Sequence, residues 1–180
     1  YQVGEGRLTL FARTLPEGGD RLWQCPQTMT QKIAAPAFFA TVAVDAFRLA
    51  VGDQAGVGLV GGQYAYAALR RQAEGWSLAY VESSGGAHTE TVLEETVLSS
   101  PRLTFRMTLL PTGYAEAAVA FEYSADGVDF KPVGRPYAPA RHTWVGARMA
   151  LFAMPMGGGQ DQGGSASFGP FKVTPVEVMA

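Results

Sequence analysis

Apolar and polar residues alternate with a period of two along most of the chain. "RLTLFA" alternates from Arg7 to Ala12. In "FFATVAVDAF", Phe38, Ala40, Val42, Val44 and Ala46 share one face, and Phe39, Thr41, Ala43, Asp45 and Phe47 the other. "LTFRMTLL" sets Leu103, Phe105, Met107 and Leu109 against Thr104, Arg106 and Thr108. "AAVAFEYS" sets Ala117, Val119, Phe121 and Tyr123 against Glu122, with Glu116 on the polar phase. "WSLAYVE" brings Trp76, Leu78 and Tyr80 together, and "WVGARMALFA" and "ASFGPFKVTPVEV" supply the last strands. Turn chemistry separates these runs: Asp126-Gly127, "PTGY", "EGW" and "SSGGAH". No segment keeps a 3.6-residue period over three capped turns. The pattern predicts an all-β antiparallel sandwich (jelly roll) of roughly a dozen strands.

Length and composition narrow this further. The chain has 180 residues, enough for a single domain over residues 1–180 with a real core. It begins at Tyr1 rather than Met, and is expected to be a piece excised from a larger chain. Net charge is −2, which offers no basic stripe for nucleic acid. No apolar run reaches the roughly 18 residues that a membrane helix needs. One cysteine, Cys25, rules out an internal disulfide and reads as a small buried hydrophobe. Asn is absent, and the bias of Arg over Lys suggests a GC-rich bacterial genome. The compartment is left open between cytoplasmic and secreted or periplasmic.

"GVGLVG", Gly56 to Gly61, fits the dinucleotide fingerprint, but that motif needs a strand turning into a helix. Here Val57 and Leu59 alternate up to a Gly61-Gly62 turn. Tyr64, Tyr66, Ala68 and Arg70 then alternate with Ala65, Ala67, Leu69 and Arg71. This predicts a hairpin whose glycines permit close approach of a neighbour. No Walker A loop, H-E-x-x-H, C-x-x-C pair or G-x-S-x-G occurs. His88 and His142 have no motif partner, and Asp126 with Asp129 falls short of a calcium shell, so Asp126 reads as a turn former. Glu94 and Glu95 are adjacent on a strand and face opposite ways, which disqualifies them as a glycosidic pair. No catalytic residue, metal or cofactor is expected.

What remains is aromatic and forked polar side chains, the chemistry that stacks on sugar rings and holds hydroxyls. Tyr64, Tyr66 and Arg70 share a strand face. Arg106 and Arg148 sit on the polar phases of their strands. If these phases line one concave sheet, the residues converge there, with Trp23 and Gln31 near one end and Trp144 among the candidate sugar-binding aromatics. The alternative is a solvated face with arginines paired to Glu116 and Glu122. The glycine-rich loop from Met154 to Gly164 is expected to be mobile until a partner domain orders it.

Four stretches, in order, carry a resemblance: "LWQCPQTMTQKIAAPAFFATVAV" (Leu22 to Val44), "DQAGVGLVGGQYAYAALRR" (Asp53 to Arg71), "FEYSADGVDFKPVGRPY" (Phe121 to Tyr137) and "TWVGARMALFA" (Thr143 to Ala153). Together they resemble the C-terminal concanavalin A-like domain of glycoside hydrolase family 43, the β-xylosidases and arabinofuranosidases. The chain departs from that pattern in lacking Asn in the first stretch and in carrying "SFGPFKV" where an acidic residue is usual. No stretch resembles the family's catalytic propeller. The resemblance implies a non-catalytic accessory or carbohydrate-binding domain. Its partners would be a catalytic glycosidase domain and xylan or another plant polysaccharide, with no nucleic acid and no membrane. The alternative is a stand-alone sandwich hydrolase or lyase, since such folds host both.

Overall fold

The computed structural model describes residues 1–113, 116–138 and 146–176, without the side chains of Gly113 and Glu116. Its strands are β1 (Gln2–Gly4), β2 (Arg7–Phe11), β3 (Met29–Lys32), β4 (Phe38–Asp45), β5 (Asp53–Val60), β6 (Tyr64–Gln72), β7 (Gly75–Ser84), β8 (Thr89–Leu98), β9 (Arg102–Gly113), β10 (Glu116–Ser124), β11 (Lys131–Tyr137), β12 (Arg148–Pro155), β13 (Ser165–Phe168) and β14 (Lys172–Pro175). All pairings are antiparallel. One sheet runs β1-β2-β13-β4-β9-β10-β11, with β14 also on β4; the other runs β3-β12-β5-β6-β7-β8. No helix among the described residues is long and apolar enough to cross a membrane.

The alternating residues meet between the sheets. Phe38, Ala40, Val42 and Val44 of β4 interlock with Leu103, Phe105, Met107 and Leu109 of β9. Ala55, Val57 and Leu59 of β5 and Leu78 and Tyr80 of β7 face them from the second sheet. Each fully buried large side chain contributes roughly 1.5–3 kcal/mol by leaving water. Gly134 of β11, at φ +70°, is needed because a Cβ there would meet the Tyr80 ring at 2.2–2.5 Å. Tyr80 in turn donates to Glu82 Oε1 at 2.8 Å.

β5 and β6 break the alternation, being buried on both faces. The reason is a strap, residues 13–28, lying over the outer face of the six-stranded sheet. Its only regular structure is two short 3-10 turns, Pro16–Gly18 and Leu22–Gln24. Leu15, Leu22 and Cys25 of the strap form a second apolar cluster with Tyr64, Tyr66, Val81, Phe152 and Met154. Burial pushes the Cys25 thiol pKa up, consistent with a packing residue.

The loop after β12 begins later than the sequence suggests. Met154 belongs to the strand and is fully buried. The segment beyond makes backbone and side-chain contacts within the domain. Met156 N–H donates to Gly52 O at 2.7 Å, Asp161 N–H to Thr14 Oγ1 at 2.7 Å, and Arg13 pairs with Asp161 at 2.6 Å. Glycines supply little apolar surface, but backbone and charged groups here find partners on the strap.

At this same end Asp53 opens β5 with 1% of its surface exposed. Its Oδ2 accepts the Ala50 N–H at 3.0 Å. Oδ1 has no donor among the described residues. A Cβ on Gly164 would lie 1.8 Å from Oδ2, so only glycine fits beside it. Burial pushes the Asp53 carboxyl up to about 6.

Candidate functional site: the strapped face of the six-stranded sheet

Hydrogen-bond register arranges the outer face of this sheet in rows. One row reads Arg148, Val60, Tyr64; the next reads Ala150, Gly58, Tyr66, Val81, Val92; a third holds Met154, Gln54, Arg70, Ser77 and Val97. Gly56 and Gly58 keep the middle of β5 low. A Cβ on Gly56 would run into Ala67 O at 2.0 Å, and one on Gly58 would crowd the Tyr66 Cβ at 3.2 Å. The glycine motif is thus an antiparallel hairpin strand made thin for its neighbours, with no phosphate-binding turn.

A line of polar groups crosses these rows. Tyr64 and Tyr66 donate their hydroxyls to the two oxygens of Glu90, each at 2.8 Å. The Leu22 N–H of the strap donates to the same carboxylate at 2.7 Å. Gln54 Nε2 donates to the Tyr66 hydroxyl at 3.3 Å, and Arg70 Nε donates to Gln54 Oε1 at 3.0 Å. Arg70 also reaches Glu95 at 3.4 Å, where Ser77 donates at 2.6 Å and Gln72 at 3.1 Å. Burial, reinforced by the Glu90 charge, holds both tyrosine hydroxyls well above the ordinary phenol value. They stay neutral donors at any working pH.

The seven residues expected to converge do so only in part. Tyr64, Tyr66 and Arg70 share a face as expected. The tyrosine rings are fully buried under the strap, so neither offers a stacking surface. Arg70 is 8% exposed and held by Gln54 and Glu95. Arg148 lies in the row of Tyr64, separated from it by Val60. Arg106 is a correction: β9 belongs to the other sheet, so this arginine is on the far side of the sandwich. There it forks onto Glu122 at 2.6 and 2.7 Å and lies 4.0 Å over the Phe130 ring. Gln31 is a second correction. It pairs with Met149 at the edge strand β3 and borders a separate groove with Leu8 and Phe171. Trp144 lies outside the described residues, as does His142.

Trp23 is the open aromatic of this face. It sits in the second 3-10 turn, 44% exposed, and its ring stacks on His88 at 3.9 Å between centroids. His88 stacks in turn on Tyr64 at 6.0 Å. The exposed ring therefore rests on a column rooted in the buried tyrosines. Arg21 anchors it alongside, donating to Ala87 O and to Asp20 at 2.6 Å.

The profile of the family described as "Beta xylosidase C-terminal Concanavalin A-like domain" matches residues 1–174. The chain belongs to this family. No curated protein sequence matches it. Solved structures share the fold at low identity. A bifunctional GH43-CE protein of Bacteroides eggerthii superposes with TM-score 0.83 at 22% identity, over 97% of this chain and 22% of its own. A GH43 protein from Bacillus licheniformis gives 0.72 at 18%, over 94% of this chain and 33% of its own. A functionally unknown protein from Saccharomyces cerevisiae gives 0.69 at 16%, over 98% and 92%. The chain thus spans between a fifth and about a third of those two GH43 proteins.

Glu90, Gln54 and the strap are the functional-site residues that sequence reasoning missed. Glu90 sits on β8, whose period slips at a bulge beside Tyr80 and Val81, where Glu94 and Val92 flank an extra Leu93. Adjacent apolar residues at Val92 and Leu93 were the available signal. Glu94 and Glu95 do face opposite ways: Glu94 accepts the Gly134 N–H at 2.9 Å, while Glu95 faces Arg70.

Proposed function

We propose that this is a non-catalytic accessory domain of a xylan-degrading family 43 glycosidase, packing on a catalytic domain and contacting xylan through the Trp23 platform. The observation that carries the reading is a flat, 44% exposed indole stacked on His88 at the edge of the strapped face. A pre-ordered aromatic loses little entropy on binding a sugar ring, and its face suits the ring's C–H groups. The carboxylates of this face support the absence of catalysis. Glu90 takes three donors and Glu95 three, all from the fold, so neither is positioned to deliver a proton to a leaving group. The test is affinity electrophoresis in xylan gels. The 180-residue chain should be retarded, and Trp23→Ala should restore free mobility while the melting temperature stays nearly unchanged. Unretarded parent protein leaves the domain with a packing role only.

A further inference from the structure

The opposite side of the sandwich carries a second cavity of a different character. Past the end of β4, the sequence "DAFRLA" turns tightly, with Leu49 N–H bonded to Ala46 O at 2.8 Å. Asp45 Oδ1 accepts the Phe47 N–H at 3.0 Å, which fixes the Phe47 ring outside the sheet, 69% exposed. Asp45 Oδ2 accepts Arg102 Nε at 2.8 Å. Between them opens a cavity of about 380 Å³, lined also by Thr9, Arg48 and Ser165. Ser167 borders it too, and its hydroxyl accepts Arg7 Nε at 2.7 Å. Arg7 and Arg102 line the adjoining groove, of about 270 Å³.

The donors here outnumber the acceptors. Asp45 is the acidic residue of both lining sets, and each of its oxygens already accepts a donor. The Arg48 guanidinium, the terminal nitrogens of Arg102 and the hydroxyls of Thr9 and Ser165 make no hydrogen bond among the described residues. Ser165 is 8% exposed, so its hydroxyl belongs to the cavity floor. Two forked guanidiniums beside hydroxyl donors suit a carboxylate. An exposed aromatic ring at the rim suits the apolar face of a sugar.

We infer that this cavity binds a carboxylate-bearing sugar, a uronic acid residue of an acidic polysaccharide, with Arg48 and Arg102 on the carboxylate and Phe47 under the ring. The choice of a sugar over other carboxylates rests on the polysaccharide context of the proposed function. The site itself shares no residue with the Trp23 platform. The experiment is a titration of the ¹⁵N-labelled 180-residue chain with a xylo-oligosaccharide bearing one glucuronic acid branch, and with the same oligosaccharide unbranched. The branched sugar should shift the amides of Phe47, Arg48 and Ser165; the unbranched one should leave them in place. Arg48→Gln should weaken the branched sugar about tenfold, as expected for loss of a charge-assisted fork. Raising salt to 0.5 M should weaken it as well. Trp23→Ala should not change it, so failure of the xylan platform and failure of this site are separable. No shift at Arg48 and Ser165, or equal shifts from both sugars, would overturn the inference. So would equal competition by a Glu-rich peptide, which would make the cavity a socket for a protein carboxylate.

Discussion

The two outer faces of the sandwich use the same residue types to opposite ends. On the six-stranded sheet, Tyr64 and Tyr66 are roofed by the strap and donate to Glu90, with Arg70 joined to them through Gln54. On the eight-stranded sheet, Arg106 and Glu122 form a two-point fork at 2.6 and 2.7 Å, with 30% and 19% of their side chains exposed. The Arg106 fork holds the Glu122 carboxyl below its ordinary value. Among the described residues the strapped face has no such fork, Arg70 meeting Glu95 at a single 3.4 Å contact. A pair open to water is screened and contributes little, whereas a buried network that loses one member leaves the others unsatisfied. The roofed tyrosines are thus structural, which leaves Trp23 as the exposed aromatic that the proposed function uses.

The sharpest break of this contrast is Tyr66→Ala. It removes a fully buried ring and the hydroxyl bridging Gln54 and Glu90. The expected loss is about 3–5 kcal/mol in urea unfolding, typical of a large buried aromatic. A loss below about 1 kcal/mol would mean that the strap does not seal this face.

A second, smaller effect separates buried from served carboxylates. Asp53, raised to about 6 by burial, takes up its proton more readily folded than unfolded. Its unfolded value is near 3.9. The sign follows: between about pH 4 and pH 6 the native state binds more protons, so this group's contribution to stability falls as pH rises. Asp53→Asn removes that slope. The variant's stability relative to the parent should therefore increase from pH 4 to pH 7, by on the order of 1–3 kcal/mol. Parallel melting curves at pH 4, 5, 6 and 7 check it. A constant difference would show that Asp53 is ionised throughout.

Arg106→Ala is expected to be the mildest. The partly exposed fork should contribute about 1 kcal/mol, diminishing at 0.5 M salt. A salt-independent loss comparable to that of Tyr66→Ala would erase the contrast between the faces.

Much of this architecture is legible in the sequence, and the reasons for the rest are local. β4 and β9 alternate cleanly because one face meets the core and the other meets water or half-buried polar neighbours. The "GVGLVG" hairpin follows from alternation on both sides of its turn. That Tyr64, Tyr66 and Arg70 share a face also follows from period two. What period two cannot report is what lies over a face. The strap has no regular period, so the burial of those tyrosines was invisible. Which sheet a strand joins is equally silent in its own residues, and Arg106 was misplaced for that reason. The Arg106–Glu122 pairing itself was among the alternatives, since cross-strand opposite charges favour such a register.

The placement of β13 and β14 bears on how the domain is made. Ser165–Phe168 is the ladder that joins β2 to β4, and Arg7 bonds to Ser167 across 160 positions of sequence. β1 and β2 therefore join the sheet only through the β13 ladder. During translation those early strands wait while the β5–β8 meander, all neighbours in sequence, can already assemble. Contacts this distant in sequence slow folding and prolong exposure of unpaired edges. The meander is expected to form first, and the β1–β2 pair to join the sheet only when the distant β13 ladder does.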